Sequence, residues 1–95
     1  MSTFETVAGI IADTCDLERD TITPDSHAIN DLGIDSLDML DVNFNIEKAF
    51  DIRIPSDQWR INLNEGRVSP DAYYILKNLC AEVDELVAAK VAQQG

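Results

Sequence analysis

Ser36 stands in the segment Asp31-Leu32-Gly33-Ile34-Asp35-Ser36-Leu37-Asp38-Met39-Leu40, where a glycine precedes a carboxylate, a hydroxyl and a run with helical spacing. Gly33 permits a sharp entry into a helix, Asp35 is placed to cap it, and Ser36 falls in the first turn with Ile34 and Leu37 as flanking core anchors. The hydroxyl is then expected to face solvent. A phosphate attached to it would meet free backbone N–H groups and the positive end of the helix dipole, a placement worth about 0.3–1 kcal/mol when exposed. On the residues alone two readings stay open: a first-turn serine with no further role, and a serine that bears a phosphate-linked group. A hydrolase built on Ser36, Asp35 and the single His27 lacks the G-x-S-x-G turn that presents a nucleophile, so no catalytic residue is expected. No metal site is expected either. Cys15 and Cys80 lie 65 positions apart without C-x-x-C spacing, and the acidic loops lack the calcium-hand pattern.

The elements that must hold this serine belong to a short, acidic chain. With 95 residues, the expectation is one domain spanning residues 1–95, too small for a two-lobed cleft. Eighteen Asp plus Glu against 7 Lys plus Arg leave a net charge of -11, which repels phosphate backbones and anionic lipid headgroups, so nucleic acid is not an expected partner. The 45% of hydrophobic residues is too many for a solvating tail. Met1 to Glu5 carry no basic leader, and the run from Val7 to Ala12 is far short of a bilayer span. A cytoplasmic protein with reduced, packed thiols and no stable membrane insertion is the expectation.

Ser2-x-x-Glu5 is a capping-box pattern, and Phe4, Val7, Ala8, Ile11 and Cys15 follow at helical spacing, which predicts a helix over residues 3–15. Residues 16–35 read as a long loop pinned by Leu17, Ile22, Ile29, Leu32 and Ile34, with room for a short helical turn. From Asp35 a second helix should run to about Asp51, with Leu37, Leu40, Phe44, Ile46, Ala49 and Phe50 as its buried stripe. Ser56 is expected to cap a short helix containing Trp59 and Ile61. Ser69 as N-cap and Pro70 at the first helical position predict one final helix reaching about Lys90. Phe44, Ile46, Phe50, Ile54, Ile61, Val68 and Leu76 read as core. No stretch alternates with period two, so the fold class is all-α, a small bundle of three main helices plus a minor one.

Asp31-Leu32-Gly33-x-Asp35-Ser36-Leu37, followed by its helix and Ile52-x-Ile54-Pro55, resembles the signature of the acyl carrier protein family over residues 3–55. The resemblance implies that a phosphopantetheinyl transferase modifies Ser36, flanked by Asp35 and Leu37, with 4′-phosphopantetheine from coenzyme A. Acyl groups would then ride as thioesters on a protein that supplies no catalysis, without an enzyme activity of its own. It also implies that Asp35, Asp38, Asp41 and Glu47 dock on basic patches of partner enzymes, namely acyl-chain elongation enzymes and an acyltransferase. Between residues 31 and 51 six carboxylates stand against Lys48 alone, and charge steering of this kind speeds encounters while leaving complexes short-lived. Lys48 departs from the family pattern, which has an acidic residue there.

The stretch from Ser56 to Asp71 and the last helix are longer than in usual members. With Trp59, residues 64–68, Tyr73-Tyr74 and the run from Leu76 to Cys80, they resemble the extended carriers that deliver very-long-chain hydroxylated acyl groups to lipid A. General fatty acid, polyketide or aminoacyl carriage is the alternative within the family, and an unmodified acidic interaction module the alternative outside it. A monomer is expected. Adding salt or a divalent cation should raise the melting temperature by screening self-repulsion, read by circular dichroism; a flat dependence contradicts the electrostatic reading.

Overall fold

The structure, a computed structural model, describes residues 2–94; Met1 and Gly95, the ends of the expected domain, lie outside the described residues. Helix α1, Thr3–Cys15, opens on the expected capping box: the Ser2 hydroxyl accepts from the Glu5 N–H at 3.1 Å and the Glu5 carboxylate accepts from the Ser2 N–H at 3.3 Å. That pairing holds the Glu5 carboxyl below its ordinary pKa, through the backbone hydrogen bond at Ser2 first. α1 ends at Asp16, left-handed at φ 55, where the Asp16 and Leu17 N–H groups both donate to the Ala12 carbonyl. The loop that follows contains the anticipated helical turn, a 3-10 turn at Arg19–Thr21, and buries Ile22, Ala28 and Ile34.

Helix α2, Ser36–Phe50, begins at the Asp35 cap and ends at Asp51, again left-handed at φ 54. Lys90 donates to both the carbonyl and the carboxylate of Asp51, setting a cation at the negative end of the α2 dipole. The buried face of α2 differs from the expected stripe. Ile46 is buried as expected, with Met39 and Val42 inside beside it, and Phe50 packs against the core, whereas Leu37, Leu40 and Phe44 are 73%, 63% and 59% exposed and Ala49 is exposed as well. Both trios have the spacing i, i+3, i+7, and two residues of offset place them about 200° apart around the helix. α1, which packs against both α2 and the last helix, selects the first trio.

Helix α3, Ser56–Asn64, starts from Pro55 in the capping position rather than Ser56, and leaves Ile61 exposed. The single last helix of the sequence reading is two helices. α4, Asp71–Tyr74, is one turn long, and α5, Leu76–Gln94, follows a break at Ile75, which is extended at ψ 126. Ser69 keeps a capping bond, accepting from the Asp71 N–H at 3.2 Å, although Pro70 is already helical. The break is held from across the molecule: Ala28 N–H donates to the Tyr74 carbonyl at 2.8 Å, and Leu76 and Lys77 donate to Ser26 and Pro24 at 3.0 and 2.8 Å. The loop thus takes up the orphan groups at one helix end and the next helix start. His27 and Ile75 form an isolated antiparallel bridge, and no strand is present among the described residues.

Among the described residues five α-helices, four of them longer than one turn, therefore surround one core built from Val7, Ala8 and Ile11 of α1, Met39, Val42 and Ile46 of α2, and Leu76, Leu79, Cys80 and Val83 of α5. The all-α bundle stands. Chemical denaturation should separate the two faces of α2: Ile46→Ala should cost about 2–5 kcal/mol, and Leu40→Ala should stay within about 0.5 kcal/mol of the parent.

Candidate functional site

The entry to α2 is fixed before Ser36 is reached. The Asp31 carboxylate accepts from the His27 N–H at 2.7 Å, and His27 Nδ1 accepts from the N–H groups of Ile29 and Asn30 at 3.2 and 3.0 Å. His27 is thus a loop organiser, with its Nε2 3.7 Å from Asp71 of α4. Gly33 turns the chain at φ 70, a conformation that side chains rarely adopt. The Ile34 N–H then donates to the Ala28 carbonyl at 3.0 Å, and Ile34 is buried as expected, whereas Leu37 is not the second core anchor. Asp35 Oδ1 accepts from the Asp38 N–H at 2.8 Å, completing the cap.

Ser36 is the first residue of α2 and is exposed. Its hydroxyl can be reached by an enzyme, and a phosphate on it would lie at the positive end of the helix dipole beside the N–H groups of the first turn. A groove of about 370 Å³ adjoins it between α2, α3 and α4. Met39 and Leu40 line one wall, Trp59 and Leu63 the other, with Ile29, Tyr73 and Tyr74 closing it and Arg60 at the side. Trp59 stacks on Tyr73 at 4.3 Å between ring centroids, nearly parallel. The Tyr73 hydroxyl accepts from Asn62 at 2.9 Å, and Asn62 in turn accepts from Gln58. This hydrogen-bonded train keeps the aromatic wall of α3 against α4.

The four expected docking carboxylates are not equivalent. Asp35 and Asp38 flank the first turn, Asp35 as its cap, and Asp41 is exposed one turn further on. Glu47 is committed to the fold, because its Oε2 accepts from the Ile54 N–H at 2.8 Å across the turn after α2. The sequence reading missed the apolar ridge beside them: Leu37, Leu40 and Phe44 face outward. The second stripe, Met39, Val42 and Ile46, was the signal that α2 carries more apolar surface than one core face needs. Lys48 lies over the Phe44 ring at 5.3 Å, so the departing cation sits on this ridge instead of pairing with a carboxylate. The Trp59 and Tyr73 pairing had no local signal, since the loop after α3 brings together residues from different helices.

No cluster of side chains suited to a metal ion occurs among the described residues, and none of their helices is long and apolar enough to cross a membrane. Both cysteines are free. Burial raises the Cys15 thiol first, and the charges of Asp38, Asp35 and Asp41 raise it further. Burial pushes the Cys80 thiol up to about 11, with Asp84 adding to it. The stability this gives is complete below the ordinary value of 9.0 and is lost as pH rises through about 11, because the unfolded thiol ionises first. At pH 8 the Cys80 thiolate is roughly a thousandth of the folded population. Iodoacetamide should therefore spare Cys80 in the folded protein and modify it in guanidinium, read by peptide mass; labelling of the folded protein would contradict its packing.

Residues 5–59 match the family model described as the phosphopantetheine attachment site. The chain is 63% identical over 89 residues to the acyl carrier protein AcpXL of Brucella melitensis, covering 94% of this chain and 96% of that one. It is 58% identical over 89 residues to AcpXL of Rhizobium meliloti, covering 94% of each. An acyl carrier protein of Helicobacter pylori is 34% identical over 68 residues, 72% of this chain and 87% of that one.

Proposed function

The chain belongs to the acyl carrier proteins, and from that premise we propose that Ser36 takes the 4′-phosphopantetheine and that the cargo is very-long-chain hydroxy fatty acyl groups for lipid A. The observation that carries the attachment site is the exposed Ser36 hydroxyl at the first position of a capped helix, opening onto an apolar groove. The residues fit the group: its phosphate would lie at the N-terminal dipole of α2, its chain has the adjoining groove, and Ser36 itself is exposed. Once bound, it supplies a terminal thiol on which acyl groups are carried as thioesters.

The protein's own residues position and present. Asp35 fixes the first turn, so that Ser36 is offered in one geometry. Asp35, Asp38 and Asp41 supply the charge that steers basic patches toward it, with Glu47 contributing its field while holding the Ile52 to Pro55 turn. Leu37, Leu40 and Phe44 add apolar contact beside that charge, which gives a docked partner surface to desolvate. The partners are a phosphopantetheinyl transferase, acyl-chain elongation enzymes and an acyltransferase, met by a monomeric single domain in the cytoplasm, where coenzyme A is available. Near-full-length likeness to the AcpXL carriers, including the extended residues 56–71, supports the long-chain cargo.

Intact mass after incubation with coenzyme A and a phosphopantetheinyl transferase tests the attachment. The wild type should gain one phosphopantetheine, and Ser36→Ala should gain none with its helicity unchanged by circular dichroism. No gain on the wild type overturns the reading, and the acyl species recovered from cells names the cargo.

A further inference from the structure

The outward face of α2 carries a cation that the fold does not pair. Leu37, Asp41, Phe44 and Lys48 recur at intervals of four, three and four residues, which places them within about 60° of one another around the helix and over about 16.5 Å along it. All four are exposed. Leu37, Leu40 and Phe44 are three of the five large hydrophobic side chains left exposed among the described residues, so such side chains gather here instead of scattering singly. The charges are ordered along the stripe: Asp38 and Asp41 stand toward the start of α2 and Lys48 toward its end, the ammonium 5.3 Å from the centre of the Phe44 ring. No ion pair takes up that ammonium among the described residues. The acidic groups closest to it along the end of α2 are occupied elsewhere, Glu47 by the Ile54 N–H and Asp51 by Lys90. Resting on the ring holds the cation on the ridge without neutralising it, so a carboxylate brought from outside can meet it there.

We propose that Lys48 is a specificity-determining residue of the docking face, meeting a carboxylate of the acyltransferase that removes the cargo. The surface of that enzyme then offers a cation toward Asp38 and Asp41 and an apolar hollow for Leu37, Leu40 and Phe44. Its carboxylate lies about 10.5 Å beyond the cation, the rise from residue 41 to residue 48. This order of signs fixes which way along α2 the enzyme lies, a choice that an evenly acidic face leaves open. A carrier with a carboxylate in place of Lys48 meets like charge and is turned away, and an enzyme that receives one committed cargo gains from that rejection. The proposal rests on the carrier reading. A second copy of this chain is the poorer occupant. Two opposed stripes would set Asp41 against Lys48, but three apolar side chains fall short of the roughly 800 Å² per partner that a stable interface covers, and a net charge of -11 on each copy repels the other.

The test uses the full chain loaded at Ser36 with 3-hydroxydecanoyl, and the purified acyltransferase of the same cell. Mass after loading comes first, and failure to load at Ser36 overturns the carrier reading and this inference together. A carbodiimide, which joins an amine to a carboxylate only where the two are in contact, is then added to the mixture and the linked peptides are read by mass. The expected product joins Lys48 to an Asp or Glu of the acyltransferase. Links from Asp38 or Asp41 to lysines of the enzyme, with none from Lys48, overturn this inference and leave the docking reading in place. A link from Lys48 to another copy of the chain overturns it in favour of self-association, and no link between the two proteins overturns both readings. Titration gives Kd for the wild type, Lys48→Met and Lys48→Glu, each checked for helicity by circular dichroism. Lys48→Glu should weaken binding about tenfold, the factor that about 1.4 kcal/mol represents, and Lys48→Met, which removes a charge without adding one, should weaken it less. An unchanged Kd in Lys48→Glu overturns the assignment. The crosslinking arm uses the wild type and stands even if a variant does not fold.

Discussion

The backbone of Ala28 joins the two halves of the site. Its carbonyl accepts from Ile34, which sets the chain on course for Ser36, and its N–H donates to Tyr74, which ends α4 and allows the extended Ile75. One peptide segment therefore fixes both the entry to α2 and the wall across from it. Without that exchange, the residues from Ser69 to Gln94 could continue as one straight helix, and Tyr73 would lose the angle at which it meets Trp59. The groove exists because α4 is turned away from α5, and α4 is turned because the loop supplies partners for the broken helical ladder.

The reading from sequence succeeded where a signal and its partner lie within one turn. The Ser2 and Glu5 box, the Asp35 cap, the Gly33 turn and the end of α2 near Asp51 are all local chemistry, and the structure has each of them. It failed where the deciding group is distant. Leu37, Leu40 and Phe44 were assigned inward because their spacing is helical, but Met39, Val42 and Ile46 have the same spacing, and only the packing of α1 and α5 chooses between them. The break at Ile75 was invisible for the same reason: residues 71–94 have good helical spacing throughout, and the competing carbonyls belong to Pro24 and Ser26. Asn43 was legible as an extra polar residue on α2, but not that its buried Oδ1 accepts no hydrogen bond in the folded chain.

Charge and apolar surface are arranged differently on the two ends of α2. At the start, carboxylates and the exposed leucines stand together around Ser36, a combination that suits brief encounters: long-range attraction brings a basic surface in, and a small apolar contact registers it. At the other end, Lys48 covers Phe44, Glu47 is turned into the backbone, and Lys90 neutralises the terminal carbonyl. Within α2, Asp38 and Asp41 therefore leave negative charge toward the start, whereas the charged groups near the end are engaged in contacts within the fold.

Thioesters exchange with any thiolate that can reach them, and a protein with two cysteines of its own risks capturing what it is meant to pass on. Here both native thiols are shifted away from the thiolate form. Cys80 is enclosed in the core, and the partly buried Cys15 thiol is raised by burial first and then by the charges of Asp38, Asp35 and Asp41. The carboxylates at the start of α2 thus add to the burial that raises the Cys15 thiol. An acyl group carried as a thioester would then meet few competing thiolates on the carrier itself.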